Sequence, residues 1–258
     1  MTSLFSLSDK VILLTGGAGL YGRGLAASIA ATGAQLILAS RNLKALQNVA
    51  NEEKNLGHRV TALPLDQGDP ASIDCLLAAI LDQFGRIDGL VNNAVSRPMK
   101  DLRDPIESWA ESMRINATGL FAITRAFADQ MANQGSGSIV NIGSIQGMVG
   151  VEPNLYEGTE LSTTPSPDYY FHKGGMLNLT RYFASAYGGR GVRVNTLSPG
   201  GFFNHQPEAF LERYQKKTML GRMADSTDLG GPVIFLLSDA AKYVTGANLA
   251  VDAGYTAK

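Results

Sequence analysis

Short apolar runs alternate with longer stretches in which apolar residues return every three or four positions. Val11-Ile12-Leu13-Leu14 is the first run, and residues 35–39, 60–65, 89–92, 138–142, 193–197 and 248–251 repeat the pattern. Runs this short, apolar at neighbouring positions, predict strands covered on both faces. The stretches between them predict helices, notably over 23–32, 73–83, 108–133, 169–186 and 229–236. Strand and helix in alternation predict an α/β fold, a doubly wound parallel sheet of about seven strands. No internal repeat and no linker divides the chain, so a single domain over residues 1–258 is expected. Gly135-Ser136-Gly137 reads as a turn before a strand.

The first strand runs into Thr15-Gly16-Gly17-Ala18-Gly19-Leu20-Tyr21-Gly22 and then into an alanine-rich helix, with a second strand after Gly33. Strand, glycine turn, helix and strand form the Rossmann βαβ unit, which brings a pyrophosphate onto free backbone N–H groups at a helix N-terminus. After the second strand comes Ala39-Ser40-Arg41-Asn42. An acid there would accept from ribose hydroxyls and repel a 2′-phosphate. None is present, whereas Ser40 and Arg41 can bind that phosphate. NADP(H) is therefore expected over NAD(H).

Tyr169 and Lys173 are four residues apart on a predicted helix, which places them on one face, one turn apart. A fixed ammonium beside a phenol favours the phenolate, so such a tyrosine can give or take a proton near neutral pH. Tyr170 lies three residues from Lys173, and its ring is expected to pack. Tyr156 and Tyr182 read as a loop residue and a helix-face residue.

Bulk properties narrow the function. Hydrophobic residues make up 45% of 258, enough for a sizeable core, and the net charge of −1 favours neither nucleic acid nor an anionic membrane. No basic region followed by a long apolar stretch opens the chain, and no apolar run is long enough to span a bilayer, so a cytoplasmic protein is expected. Three scattered histidines make no metal-ligand cluster. The single cysteine, Cys75, is expected to pack within a helix.

Several motifs in order carry a family resemblance. Thr15-Gly16…Gly22 resembles a TGxxxGxG turn, Asn92-Asn93-Ala94-Val95 an NNAG segment, Tyr169-x-x-x-Lys173 an active pair preceded by Ser144, and Pro199-Gly200 a PG after the sixth strand. Over almost its whole length the chain resembles the short-chain dehydrogenase/reductases. The resemblance implies Asn116, Ser144, Tyr169 and Lys173 as catalytic residues. It implies a cofactor site of Gly16, Gly19, Leu20, Tyr21 and Gly22 in the turn, with Asp66 and Gln67 near adenine. Asn93, Ala94, Tyr169, Lys173, Pro199, Gly200 and Phe202 complete it. Relatives are mostly tetramers, so a homotetramer built on the helices around 108–133 and 169–186 and on the last strand is expected.

Three departures stand out. Leu20 replaces the middle glycine of the turn, and Gly19 is expected to supply the freedom at positive φ one position earlier. Val95 replaces the last glycine of NNAG. Asn204 stands near where many relatives carry a threonine that binds the carboxamide. Between Ser144 and Tyr169 the chain is longer than in most relatives, with a proline- and serine-rich loop around 150–167. A substrate-side loop is expected there, since residues of the site anchor both ends. The implied activity is reversible hydride transfer on a small molecule. The ends of the chain look like gluconate 5-dehydrogenases, while the loop and Ser198–Asn204 region look like surface-sugar-biosynthesis reductases. A sugar, sugar acid or polyol leads. A 3-oxoacyl thioester reductase and a non-catalytic nucleotide-sensing protein are the alternatives.

Overall fold

The computed structural model describes residues 4–257. Seven parallel strands form one sheet in the order β3-β2-β1-β4-β5-β6-β7. They are β1 (Val11–Thr15), β2 (Gln35–Ser40), β3 (Val60–Pro64), β4 (Gly89–Asn92), β5 (Gly137–Ile142), β6 (Val192–Pro199) and β7 (Asn248–Val251). The helices are α1 (Leu20–Ala30), α2 (Leu43–Asn55), α3 (Pro70–Phe84), α4 (Ile106–Met113), α5 (Leu120–Gln134), α6 (Pro167–Tyr187), α7 (Glu208–Lys217) and α8 (Gly230–Leu237). The expected α/β architecture is present, each strand within a few residues of its apolar run.

The strands are apolar at neighbouring positions because helices cover both faces. Ile12, Leu14, Leu36, Leu38, Val140 and Leu197 join Leu25, Ile29, Val233 and Leu236 in one core. Leu13, Ile37, Leu90, Ile139 and Val194 join Ile73, Ile80, Ile123, Phe127 and Phe183 in the other. Each fully buried side chain of this size contributes about 1.5–3 kcal/mol. Gly135 closes α5 in the left-handed region at φ 77, as its turn reading requires.

Two expectations fail here. Residues 108–133 do not form one regular helix. A π-helical segment, Arg114–Gly119, lies between α4 and α5 and widens the coil by one residue. Cys75 is exposed, on the solvent face of α3, so it does not help to pack that helix. No helix among the described residues is long and apolar enough to cross a membrane, and no group of metal-ligating side chains forms there.

Candidate active site

The sheet topology splits at β1 and β4: the chain runs outward from β1 to β3, then returns to β4. Ligands of open parallel sheets bind at the carboxyl ends of the strands where such a reversal occurs. A cavity of about 640 Å³ lies there, walled by the glycine turn, the ends of β2, β4, β5 and β6, and α6.

The glycine turn is shaped by close approach. Gly16 has φ 69, a conformation glycine adopts without strain. Gly19 does not, with φ −76, so the freedom at positive φ lies at the first glycine of the turn. Leu20 is tolerated because its side chain is 56% exposed on the first turn of α1. Gly22 does not line the cavity. Its place is fixed by packing, since a Cβ there would lie 2.2 Å from the Gly16 carbonyl oxygen. No side chain caps α1, which leaves its first-turn N–H groups for an anionic ligand. This cradle fits a dinucleotide pyrophosphate.

Ser40 and Arg41 line the same cavity where β2 ends. Arg41 makes no ion pair among the described residues. Asp66 and Gln67 line its outer end with Leu65 and Ile115. The Asp66 carboxylate accepts from the Gly68 N–H at 2.9 Å, and the Gln67 amide donates to the Ile115 carbonyl at 3.0 Å. Asn93 and Ala94 also line the cavity, but their polar groups are used on the glycine turn. The Asn93 amide donates to the carbonyls of Thr15 and Gly16, and both backbone N–H groups donate to the Thr15 hydroxyl. They stitch β4 to β1.

Lys173 is 3% exposed, and its ammonium donates to the carbonyl of Ile142, the last residue of β5, at 2.5 Å. Burial, with Arg97 nearby as a second cause, pulls its pKa down to about 7. Its Nζ lies 5.5 Å from the centre of the Tyr169 ring, one turn earlier on α6. Ser144, two residues beyond β5, caps a single 3-10 turn, its Oγ accepting from the Gln146 N–H at 3.1 Å. All three line the cavity. Asn116 does not. Buried in the π turn, its amide binds both the N–H and the carbonyl of Ser96 and the hydroxyl of Ser112. It holds the segment after β4 rather than facing the open space.

Several lining residues were not anticipated. Arg97 lies over the Tyr169 ring, 4.4 Å from its centre. Tyr170 was expected to pack, yet its hydroxyl reaches the cavity wall and accepts from Gln146 Nε2 at 3.1 Å. Successive helical residues point about 100° apart, so both tyrosines can flank one space. Tyr156, on the loop, packs on Phe210 of α7 with ring centres 5.4 Å apart. Glu152 pairs with Lys217 of α7, accepts from the Tyr255 hydroxyl at 3.0 Å, and lines the cavity with Leu155. The first half of the loop is thus a wall of the site. The second half turns away and is fastened to Asp101, whose carboxylate accepts from the hydroxyls of Ser162 and Thr164. Pro199, Gly200, Phe202 and Asn204, at and beyond the end of β6, also line the cavity.

A family profile described as enoyl-(acyl carrier protein) reductase matches residues 19–256. Galactitol 2-dehydrogenase (L-tagatose-forming) of Cereibacter sphaeroides is 34% identical, over 98% of each chain. L-rhamnose 1-dehydrogenase (NAD(P)(+)) of Azotobacter vinelandii is 33% identical, over 96% of this chain and 97% of its own. Among solved structures, a gluconate 5-dehydrogenase from Burkholderia cenocepacia in complex with NADP and tartrate superposes with a TM-score of 0.88. It has 29% identity and 98% coverage of both chains.

Proposed function

The chain belongs to the short-chain dehydrogenase/reductase family of oxidoreductases, and from that premise we propose that the cavity binds NADP(H) in preference to NAD(H) and reversibly reduces the carbonyl group of a sugar, sugar acid or polyol-derived ketone. One observation carries this reading. Tyr169 and Lys173, one turn apart on α6, face the same cavity as Ser144 and the uncapped N-terminus of α1. The named activities of the galactitol and rhamnose dehydrogenases support the substrate class.

In this reading the turn from Gly16 to Tyr21 holds the pyrophosphate, Ser40 and Arg41 the 2′-phosphate, and Asp66 and Gln67 the adenine. Pro199, Gly200 and Phe202 flank the nicotinamide. The bound cofactor supplies or accepts the hydride. Tyr169 gives a proton to the carbonyl oxygen in reduction and takes it back in oxidation. The Ser144 hydroxyl donates to the same oxygen and steadies its developing charge. Lys173 binds the nicotinamide ribose and, when charged, eases ionisation of Tyr169. The negative charge of the cofactor favours that charged form over the neutral amine that burial promotes. Asn116 keeps the segment after β4 in place, and its backbone in the π turn serves a water that continues the proton path.

A second reading, reduction of a 3-oxoacyl thioester, is favoured by the description of the matching profile and by Val149, Leu155 and Met223 in the wall. A panel of sugar acids, polyols and acyl thioesters, followed by the absorbance of the reduced cofactor, separates the two. Turnover on thioesters alone overturns the first reading, and turnover on none would leave a nucleotide-binding protein. Cofactor choice is tested with Arg41→Asp, which places a carboxylate against the 2′-phosphate. Affinity for NADP(H) is expected to fall far more than affinity for NAD(H); equal losses would detach Arg41 from that phosphate.

A further inference from the structure

The peptide unit between Gly200 and Gly201 is held at both ends by phenols. Tyr21, at the start of α1, donates its hydroxyl to the Gly200 carbonyl at 2.8 Å. On the other side the Gly201 N–H donates to the Tyr214 hydroxyl of α7 at 2.5 Å. A peptide plane between two glycines is the freest in a chain, because no Cβ limits rotation on either side. Neither glycine has a positive φ, so the backbone conformation does not demand glycine here. The tyrosine does. A Cβ on Gly200 would lie 3.1 Å from the Tyr214 hydroxyl and from Asp252 Cα, and one on Gly201 would lie 2.8 Å from Met223 Cε and 3.0 Å from the Tyr214 hydroxyl. The glycines admit the phenol, and the phenols remove the freedom the glycines bring.

Both phenols are themselves fixed. The Tyr21 ring meets Phe202 edge to face, with centres 4.8 Å apart and planes at 80°. Tyr214 is stacked between Phe210 and Tyr255, at 5.8 and 5.2 Å. Burial raises the pKa of each, so both stay protonated at any working pH. Tyr21, Gly200, Gly201, Phe202 and Tyr214 all line the cavity.

We propose that Tyr21 and Tyr214 are positioning residues which lock the Gly200–Gly201 peptide, and with it Phe202, as the wall that receives the nicotinamide half of the cofactor. The proposal rests on the dinucleotide reading given above. It also joins two parts of the site, because Tyr21 belongs to the phosphate cradle while Tyr214 belongs to the helix that carries the loop wall. The test uses the full chain as Tyr21→Phe, Tyr214→Phe and the double variant. Each is titrated with NADPH and with 2′-phospho-ADP-ribose, which lacks the nicotinamide. Each single change is expected to weaken NADPH by about 2- to 10-fold, the net worth of one hydrogen bond. The fragment should keep its affinity. The double variant should lose less than the product of the single losses, because both hydroxyls act on one peptide. Equal losses for NADPH and the fragment, or no loss for either, would overturn the proposal while leaving the dinucleotide reading standing. If the unmodified protein binds neither ligand, both fall.

Discussion

At the scale of single residues, Tyr169 and Tyr170 share a cavity but not a role. The first has the Arg97 guanidinium and the Lys173 ammonium against its ring. The second is held as a phenol by burial, with its pKa pushed up, and is tied to Gln146. Tyr169→Phe keeps the ring and removes the hydroxyl proposed to pass the proton, so turnover should fall on the order of a hundredfold or more with cofactor affinity kept. Tyr170→Phe should raise the substrate KM and leave kcat nearly unchanged. Steady-state kinetics on both variants check the assignment, and the opposite pattern would exchange their roles. Lys173 gives a pH prediction. Its pKa falls from the ordinary 10.5 to about 7 on folding. Between those values the unfolded chain binds the extra proton, so stability of the cofactor-free protein should rise with pH across that window. Below about 7 the cost of a buried charge is fully present. Urea midpoints for the protein and for Lys173→Met should converge as pH rises, and parallel curves would contradict the shift.

At the scale of elements, the π turn between α4 and α5 does the most for the site. It turns Asn116 inward onto both backbone groups of Ser96, and so fixes the segment that carries Arg97. Asn116→Ala would take the side-chain partner from both of those part-buried groups, at about 0.5–1.5 kcal/mol for each hydrogen bond lost. A lower melting temperature and weaker turnover should appear together; unchanged stability would deny the holding role. The π turn was not legible in the sequence. A single extra residue in a coil barely disturbs a pattern that repeats every three or four positions, so 108–133 reads as one helix. The strands were legible, because apolar runs buried on both faces leave no alternation to misread. Tyr169, Lys173 and Ser144 were legible through spacing and order along the chain. The role expected of Gly19 falls instead on Gly16, which meets the Ala94 backbone far along the chain, and on Gly22, which packs on Gly16 and Gly17. The places of Tyr156, Glu152 and Tyr214 in the wall are set by long-range contacts. Their positions depend on how the loop packs on α7, and nothing local encodes it.

At the scale of the whole molecule, α5 and α6 carry apolar side chains that this chain alone does not cover. Phe121 is 38% exposed, Phe171 60% and Tyr182 65%. Burying such faces by symmetric association would suit the homotetramer that the family resemblance implies. Light scattering at micromolar concentration should give the mass of four chains, and Tyr182→Lys should shift it toward smaller species; a mass near one chain for the unaltered protein would contradict the assembly. The strand order carries a different consequence, for synthesis on the ribosome. β1 emerges first and ends inside the sheet. β2 and β3 then extend one side, and β4, β5, β6 and β7 extend the other in the order in which they are translated. Every strand after β1 therefore leaves the exit tunnel to find its partner already made and an open edge waiting. None has to be threaded between two existing neighbours, so the sheet can grow at the pace of translation with no more than its two outer strands open to neighbouring chains.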